Sequence, residues 1–218
     1  MKERGMIFNG EMVRALLDGR KTQTRRIIKD CTVGRDPISK FIKIGKKFIG
    51  CYPEDVPELI RECCPYGVPG DRIWVRETWA EAGASAPDLK LYRANYPEHV
   101  PSIYENVPPT EEIRWTPSIH MPRTASRILL EITGVRVERL NAISEEDAQA
   151  EGVGTAVWFA AKGIPESEWK SLGEHGAMQA SYINRFATLW ESIYGEESWK
   201  ANPWVWVIEF KRVEGGAA

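Results

Sequence analysis

The segment over residues 204–211 constrains the fold most, because it is apolar on both faces of an extended chain. Trp206 and Ile208 lie on one face of the expected strand, and Val205 and Val207 lie on the other. A strand that is apolar on both sides belongs in the interior of a sheet, with neighbours on each edge. We therefore expect a central strand here, with the rest of the chain arranged around it.

Periodicity and capping residues predict the other elements. Helix-capping residues and a helical spacing of apolar residues predict three helices, and alternation predicts three further strands. The predicted elements are a helix from Asn9 to Gly19, strands over 24–28, 72–77 and 128–137 with a bulge at Gly134, a helix from Ser144 to Gly152, and a helix over 180–194 that buries Ile183, Phe186, Leu189, Trp190 and Ile193. This order indicates an α+β protein whose small mixed sheet curls into a barrel flanked by helices.

The length of 218 residues suits a single domain with large insertions. Two stretches interrupt the predicted elements, at about 80–123 and 153–179, and the first is rich in proline and aromatic residues. A long stretch of this kind is typical of a lid, a binding loop or an ordered insertion. Its aromatic residues either cover a flat ligand or anchor the segment to the body. The stretch over 40–49 is either a loop or a hairpin.

Charge is segregated along the chain. Residues 1–50 contain 13 Lys and Arg against 5 Asp and Glu, a balance of +8, whereas the remainder carries −10. A basic N-terminal quarter indicates a partner that bears phosphate, while the net acidic whole argues against tight non-specific binding to duplex nucleic acid. No apolar run approaches the ~20 residues that a membrane span needs, so we expect no membrane contact and a cytoplasmic monomer. The four cysteines lack zinc-site spacing, and we expect no metal and no cofactor.

The stretch from Gly19 to Arg26 packs four cations and two hydroxyls into eight residues. It lies where the first helix gives way to a strand, and such a junction can hold a lysine and a threonine rigidly against a ligand. The alternative interpretation is that these cations form a solvated face with no functional role. Later in the chain, Arg76 and Glu77 face opposite sides of their strand, so one of them needs a partner in the site or the core.

Glu151 lies at the end of the helix that begins after Ser144. A carboxylate at a helix C-terminus faces the unfavourable end of the helix dipole, so it does not serve helix stability. It is therefore either a functional residue or a solvated surface glutamate.

Taken together, four pieces of the chain resemble the ASCH family, whose fold is a PUA-like β-barrel. The pieces are residues 7–28 with the run LLDGRKTQTRR, residues 69–76 with PGDRIWVR, residues 128–152, and residues 205–210. The whole is similar to the larger ASCH proteins that phages and prophages carry. The most specific element is the G-R-K-T-x-T-x-R pattern.

Within this family, the small bacterial acetylcytidine amidohydrolases use a lysine, a threonine and a glutamate. The resemblance assigns these catalytic roles to Lys21, Thr24 and Glu151, although the glutamate could shift to Glu145 or Glu146. We also expect the following residues to contact the substrate: Arg20, Arg25, Arg26, Arg76, Glu77 and Trp79. Both insertions are absent from the small enzymes, so the resemblance leaves the substrate open.

Two functions of different classes follow. The first is a hydrolase that cleaves an amide on a modified nucleoside or base, with Thr24 as nucleophile, Lys21 as base and Glu151 as acid. Since residues three apart in a regular strand face opposite sides, this set requires a turn or bulge before Thr24. The second is a non-catalytic module that binds RNA or a modified base through Arg25, Arg26 and Arg76. A ribonuclease is a third possibility.

Overall fold

The computed structural model describes residues 1–29, 31–33, 41–44, 47–50, 56–83, 86, 88–154 and 181–213. The strands are β1 (Glu3–Ile7), β2 (Gln23–Ile27), β3 (Cys31–Val33), β4 (Phe41–Ile44), β5 (Lys47–Gly50), β6 (Arg72–Arg76), β7 (Trp79–Glu81), β8 (Lys90–Tyr92), β9 (Leu129–Arg139) and β10 (Trp204–Arg212). The α-helices are α1 (Gly10–Leu17), α2 (Val56–Cys63), α3 (Glu145–Ala150) and α4 (Tyr182–Tyr194). The prediction of a mixed α+β protein is confirmed.

The main sheet has five strands in the order β1-β6-β9-β10-β2. Strand β10 pairs antiparallel with β9 on one side and with β2 on the other. Val205, Val207 and Ile208 are fully buried and Trp206 is 2% exposed, because both faces of β10 are covered. The prediction that this segment is a central strand is confirmed.

The two edge strands of the sheet approach each other without pairing. Among the described strands, β1 and β2 form no ladder, so the described sheet is open. The Arg26 guanidinium on β2 nevertheless donates a hydrogen bond of 2.7 Å to the carbonyl of Ile7 on β1 and stacks over the Phe8 ring. The sheet therefore curls until a single side chain spans the gap between its edges.

Strand β1 was not anticipated from the sequence. It pairs in parallel with β6, with Gly5 opposite Trp74, and its five residues are too few and too mixed in polarity to show alternation. The bulge expected at Gly134 is confirmed, because the register of β10 against β9 shifts between Glu209 and Phe210.

Three helix predictions are confirmed, two by their N-caps and one by its buried face. The Asn9 side chain accepts from the Met12 amide at the start of α1, Ser144 caps α3 through the Asp147 amide, and α4 buries Phe186, Leu189 and Trp190. The predicted burial of Ile193 is wrong, since this residue is 43% exposed. It lies in the last turn of α4, beyond the part of the helix that packs on the core.

The segment over 80–123 has more regular structure than its proline content indicates. Strands β7 and β8 form a short antiparallel hairpin, and the Tyr92 hydroxyl donates to the carbonyl of Ala125. The Tyr96 and Trp115 rings meet edge to face, so these aromatic residues anchor the segment. The hairpin alternative for 40–49 is confirmed by the pairing of β4 with β5. The predicted insertion over 153–179 lies, from residue 155 on, outside the described residues.

In the described part of the chain, no helix has the length and apolar character to cross a membrane.

Candidate functional site

The segment between α1 and β2 is held at both ends by backbone hydrogen bonds. The amide of Lys21 donates to the carbonyl of Ala15 on α1 at 3.0 Å, and the amide of Thr22 donates to the carbonyl of Ala150 on α3 at 2.9 Å. Both residues precede β2, which begins at Gln23. Lys21 and Thr22 therefore lie outside the regular strand, and their hydrogen bonds tie the basic stretch to the C-terminal end of α3.

The Lys21 side chain pairs with Glu151. Its Nζ lies 2.6 Å from Oε2 of Glu151 and 2.9 Å from the Glu151 carbonyl oxygen. The two side chains are 0% and 1% exposed. The structure thus brings together two of the three residues predicted to be catalytic, and it leaves their charged groups without access to bulk water.

Gly152 permits this close approach. It adopts a positive φ of 76°, which ends α3 where the sequence predicted. A Cβ at this position would lie 2.8 Å from the Cβ atoms of Ala15 and of Lys21. Only glycine allows α1, Lys21 and the end of α3 to pack at this distance.

Burial lowers the pKa of Lys21 from its ordinary value. Desolvation is the largest cause, because it disfavours the charged ammonium, and the cations Arg26 and Arg25 act in the same direction. The charge of Glu151 and its hydrogen bond oppose the shift. The environment of Lys21 therefore favours the neutral amine more than water does.

Arg25 extends the pair into a network of ions. Its guanidinium is buried and donates to Oε1 of Glu151 at 3.2 Å, to Oε1 of Glu138 at 2.6 Å and to Oδ2 of Asp147 at 2.9 Å. Arg136 on β9 also bonds Asp147, at 2.5 Å. Because its guanidinium is buried and already bonds three carboxylates, Arg25 holds those side chains in place and has no exposed group left to bind a phosphate.

Sequence reasoning missed Gln23, Glu138, Arg136 and Asp147. The Gln23 amide nitrogen donates to the carboxylate and to the carbonyl of Asp147. Two signals in the sequence point to members of this set. Gln23 and Arg25 are two residues apart and so share one face of β2. Asp147 precedes Glu151 by four residues and so lies on the same face of α3. Burial opposes a low pKa at Asp147, but the hydrogen bond from Gln23 and the charges of Arg136 and Arg25 lower it.

Thr24 is 1% exposed and lies between Gln23 and Arg25 on β2. Since both neighbours reach Asp147, the Thr24 side chain points to the opposite face of the strand. Within the described residues its hydroxyl makes no hydrogen bond to another group. Its lone pairs are therefore free.

The remaining predicted substrate contacts fall into separate groups. Arg20 is exposed, pairs with Asp18 and donates to the carbonyl of Gly152 at 2.9 Å. Arg26 and Arg76 flank one residue, Ile7, since Arg26 bonds its carbonyl and Arg76 is its partner in the β1–β6 ladder. The Arg76 guanidinium also donates to the carbonyl of Ile119 in the first insertion.

Glu77 and Trp79 follow β6, where the chain enters the first insertion. Glu77 is 2% exposed, and Arg127 holds both of its oxygens at 2.9 Å. The prediction that Arg76 or Glu77 pairs in the interior is confirmed by Glu77. Trp79 is 8% exposed and packs with Tyr92 in a small second core. In the described ranges, no group of three or more His, Cys, Asp or Glu side chains is placed to hold a metal ion.

Comparison of the chain with protein-family models, with curated proteins and with solved structures found no match in any of the three.

Proposed function

We propose that this protein is an ASCH-type hydrolase that removes the acyl group from an N-acylated nucleoside or base. One observation carries the proposal: Lys21 and Glu151 form an ion pair of 2.6 Å with side chains that are 0% and 1% exposed. A buried ion pair contributes little net stability, and strongly perturbed buried groups concentrate at functional sites. The pair therefore has a better explanation in chemistry than in folding.

The curvature of the sheet supports a PUA-like arrangement. Arg26 links the two edge strands through the carbonyl of Ile7, and α1 connects those same strands in sequence. The resemblance in residues 7–28 falls on this unit. A curled sheet is the expectation for such a fold.

A single proton sets the chemistry of the pair. If it moves from Lys21 to Glu151 along their hydrogen bond, the ion pair becomes a neutral amine and a carboxylic acid. These are the base and the acid that amide hydrolysis needs. Desolvation favours the neutral amine of Lys21, because it lowers the pKa of that group.

The reaction then proceeds in two balanced halves. This step requires the Thr24 side chain to turn from the opposite face of β2 towards Lys21. Oγ1 of Thr24 then attacks the acyl carbon and gives its proton to Nζ of Lys21; as the C–N bond breaks, Glu151 protonates the departing nitrogen. The acyl group is then an ester of Thr24. Water attacks this ester and gives a proton to Glu151, while Lys21 returns its proton to Oγ1 of Thr24. The carboxylic acid leaves, and the starting protonation is restored.

Arg25 positions the acid. Its guanidinium bonds Oε1 of Glu151, which leaves Oε2 directed at Lys21. Glu138 and Asp147 hold Arg25 in turn. Since Arg does not deprotonate in proteins, this part of the network fixes geometry and exchanges no protons.

The proposal is tested by incubating the purified protein with a panel of N-acylated cytidines and other acylated nucleosides, with the free carboxylic acid as the measured product. Lys21→Met and Glu151→Gln should each lower kcat by at least about 10²-fold, the usual contribution of general acid–base catalysis. Thr24→Ala should abolish turnover and Thr24→Ser should retain part of it. Thr22→Ala and Lys29→Met change exposed residues that flank β2 and should leave kcat unchanged.

Two results would change the proposal. Turnover that survives in Thr24→Ala would keep the hydrolase and make a water molecule the attacking group, activated by Lys21 or Glu151. A folded protein that binds RNA tightly but releases no acid from any substrate would instead establish the binding module.

A further inference from the structure

A cavity of about 270 Å³ lies at the end of α1 that is remote from Lys21. It opens between the first turn of α1, the chain just after β6 and the start of the first insertion. The residues that line it are Gly10, Arg14, Glu77, Thr78, Arg93 and Ala94. Its volume is slightly below the ~300 Å³ at which pockets for drug-sized ligands begin, so it suits a small ligand or one group of a larger ligand.

The charges around the cavity are compensated with one exception. Arg14 pairs with Glu11, and its Nη1 donates to the carbonyl of Ala94 at 2.6 Å. Arg127 neutralises Glu77 through both carboxylate oxygens. Arg93 is exposed, and its guanidinium makes neither an ion pair nor a hydrogen bond in the part of the chain that the structure describes. The cavity therefore has one uncompensated positive charge.

The donors at this cavity match an oxyanion. Arg93 offers the planar set of N–H groups that binds phosphate oxygens in pairs. Arg14 is held by Ala94, and its guanidinium has more N–H donors than its two partners use. Thr78 adds a hydroxyl, and the neutralised Glu77 can accept from a ligand hydroxyl.

We propose that this cavity binds a phosphoryl group, with Arg93 as the principal ligand and Arg14 as the second. The inference goes beyond the proposed hydrolase, because binding here needs no turnover at Lys21. Four of the six lining residues follow β6, and two of these, Arg93 and Ala94, belong to the first insertion. The insertion thereby gains a specific role, which is to complete an anion site beside α1.

The test is calorimetric titration of the full chain with inorganic phosphate, cytidine 5′-monophosphate, cytidine and acetate. Phosphate and the nucleotide should bind, and cytidine and acetate should not. Equal affinity for phosphate and nucleotide would mean that the phosphoryl group alone is recognised, whereas tighter nucleotide binding would mean that the nucleoside extends out of the cavity. Either result supports the site.

Two variants locate the binding. Arg93→Gln should weaken phosphate binding about tenfold or more, since hydrogen bonds to charged groups are among the strong ones, and should reduce the salt dependence of binding by about one ion. Gly10→Ala places a methyl at ordinary contact distances, 3.7 Å from Arg14 and 3.9 Å from Ala94, so it should keep the fold and weaken binding by filling space. Arg114→Gln, an exposed arginine of the same insertion, is the matched control and should bind as the wild type does.

Absence of phosphate binding by the wild type would overturn the inference. So would affinity that is unchanged in Arg93→Gln, which would move the anion to another surface. Acetate that binds as well as phosphate would show a general carboxylate site and would refute the phosphoryl assignment.

Discussion

Glu77 and Glu151 are both 2% exposed, yet they are neutralised in different ways. Glu77 receives two parallel hydrogen bonds from one guanidinium, that of Arg127. Glu151 divides its oxygens between two cations, Lys21 on Oε2 and Arg25 on Oε1. A carboxylate held by one Arg fork is fixed in its geometry, whereas one shared with a desolvated lysine has a partner that can release its proton. From this difference we infer that Glu77 has a structural role and that Glu151 has a role in proton transfer.

The largest expected effect tests the structural side of this comparison. Glu77→Gln should lower the free energy of unfolding by about 3–5 kcal/mol, because removal of one partner leaves the Arg127 charge uncompensated in a largely buried position. Urea denaturation with a fluorescence readout measures this. Glu197→Gln breaks the exposed pair between Lys200 and Glu197, whose side chains are 75% and 80% exposed, and should cost less than about 1 kcal/mol.

A loss below about 1 kcal/mol in Glu77→Gln would contradict the assignment. The Arg127 charge would then have other compensation, and Glu77 would be available for a role at the cavity that it lines.

The next effect concerns the packing that brings Lys21 and Glu151 together. Gly19 ends α1 and Gly152 ends α3 with nearly the same φ, 74° and 76°. An alanine at Gly19 meets no atom within 4 Å and should cost only the strain of a left-handed backbone, about 1–2 kcal/mol. An alanine at Gly152 carries the same strain and also meets Ala15 and Lys21 at 2.8 Å, which should add about 1–3 kcal/mol.

The difference between the two glycine variants isolates the contact at Lys21. Thermal unfolding of both proteins gives this difference, and the acylated-nucleoside assay should show lower turnover only in Gly152→Ala. Equal stability in the two variants would mean that α3 moves freely away from α1, and the geometry of the ion pair would then have no rigid support.

Local signals in the sequence predicted much of this arrangement. Asn9 and Gly19 bounded α1, Ser144 and Gly152 bounded α3, and the apolar faces of residues 204–211 predicted the central strand. These features depend on capping, on backbone conformation and on burial of the segment itself, all of which are local.

The partners within the site were not predictable in the same way. Arg25 meets Glu138, Asp147 and Glu151 across more than a hundred positions of sequence, and nothing in the spacing of β2 specifies those partners. The parallel pairing of β1 with β6 was missed for the same reason, since a short strand of mixed polarity is defined by its neighbour. Likewise, the arginines of the basic stretch are alike in sequence, but Arg25 is buried in the ion network and Arg20 is exposed.

The smallest expected effect tests the role of the Lys21–Glu151 pair. It is a change in how the free energy of unfolding depends on pH. Because the pKa of Lys21 is lowered in the folded protein from its ordinary value of 10.5, the unfolded chain binds more protons than the native state between the lowered pKa and 10.5. Over that window the free energy of unfolding rises with pH, by at most about 1.4 kcal/mol per pH unit for one group. Below the window the lysine is charged in both states, and its desolvation counts fully against folding. Lys21→Met removes this term, so the stability of the wild type should increase relative to the variant as the pH is raised from 7 towards 10.

Cys64, whose pKa burial raises, acts in the opposite direction but is present in both proteins and cancels from the difference. Denaturation curves at successive pH values measure the trend, with Lys29→Met as the exposed control. A difference that is flat, or that falls with pH, would mean that Glu151 keeps Lys21 protonated, and the pair at Glu151 would then be as fixed as the one at Glu77.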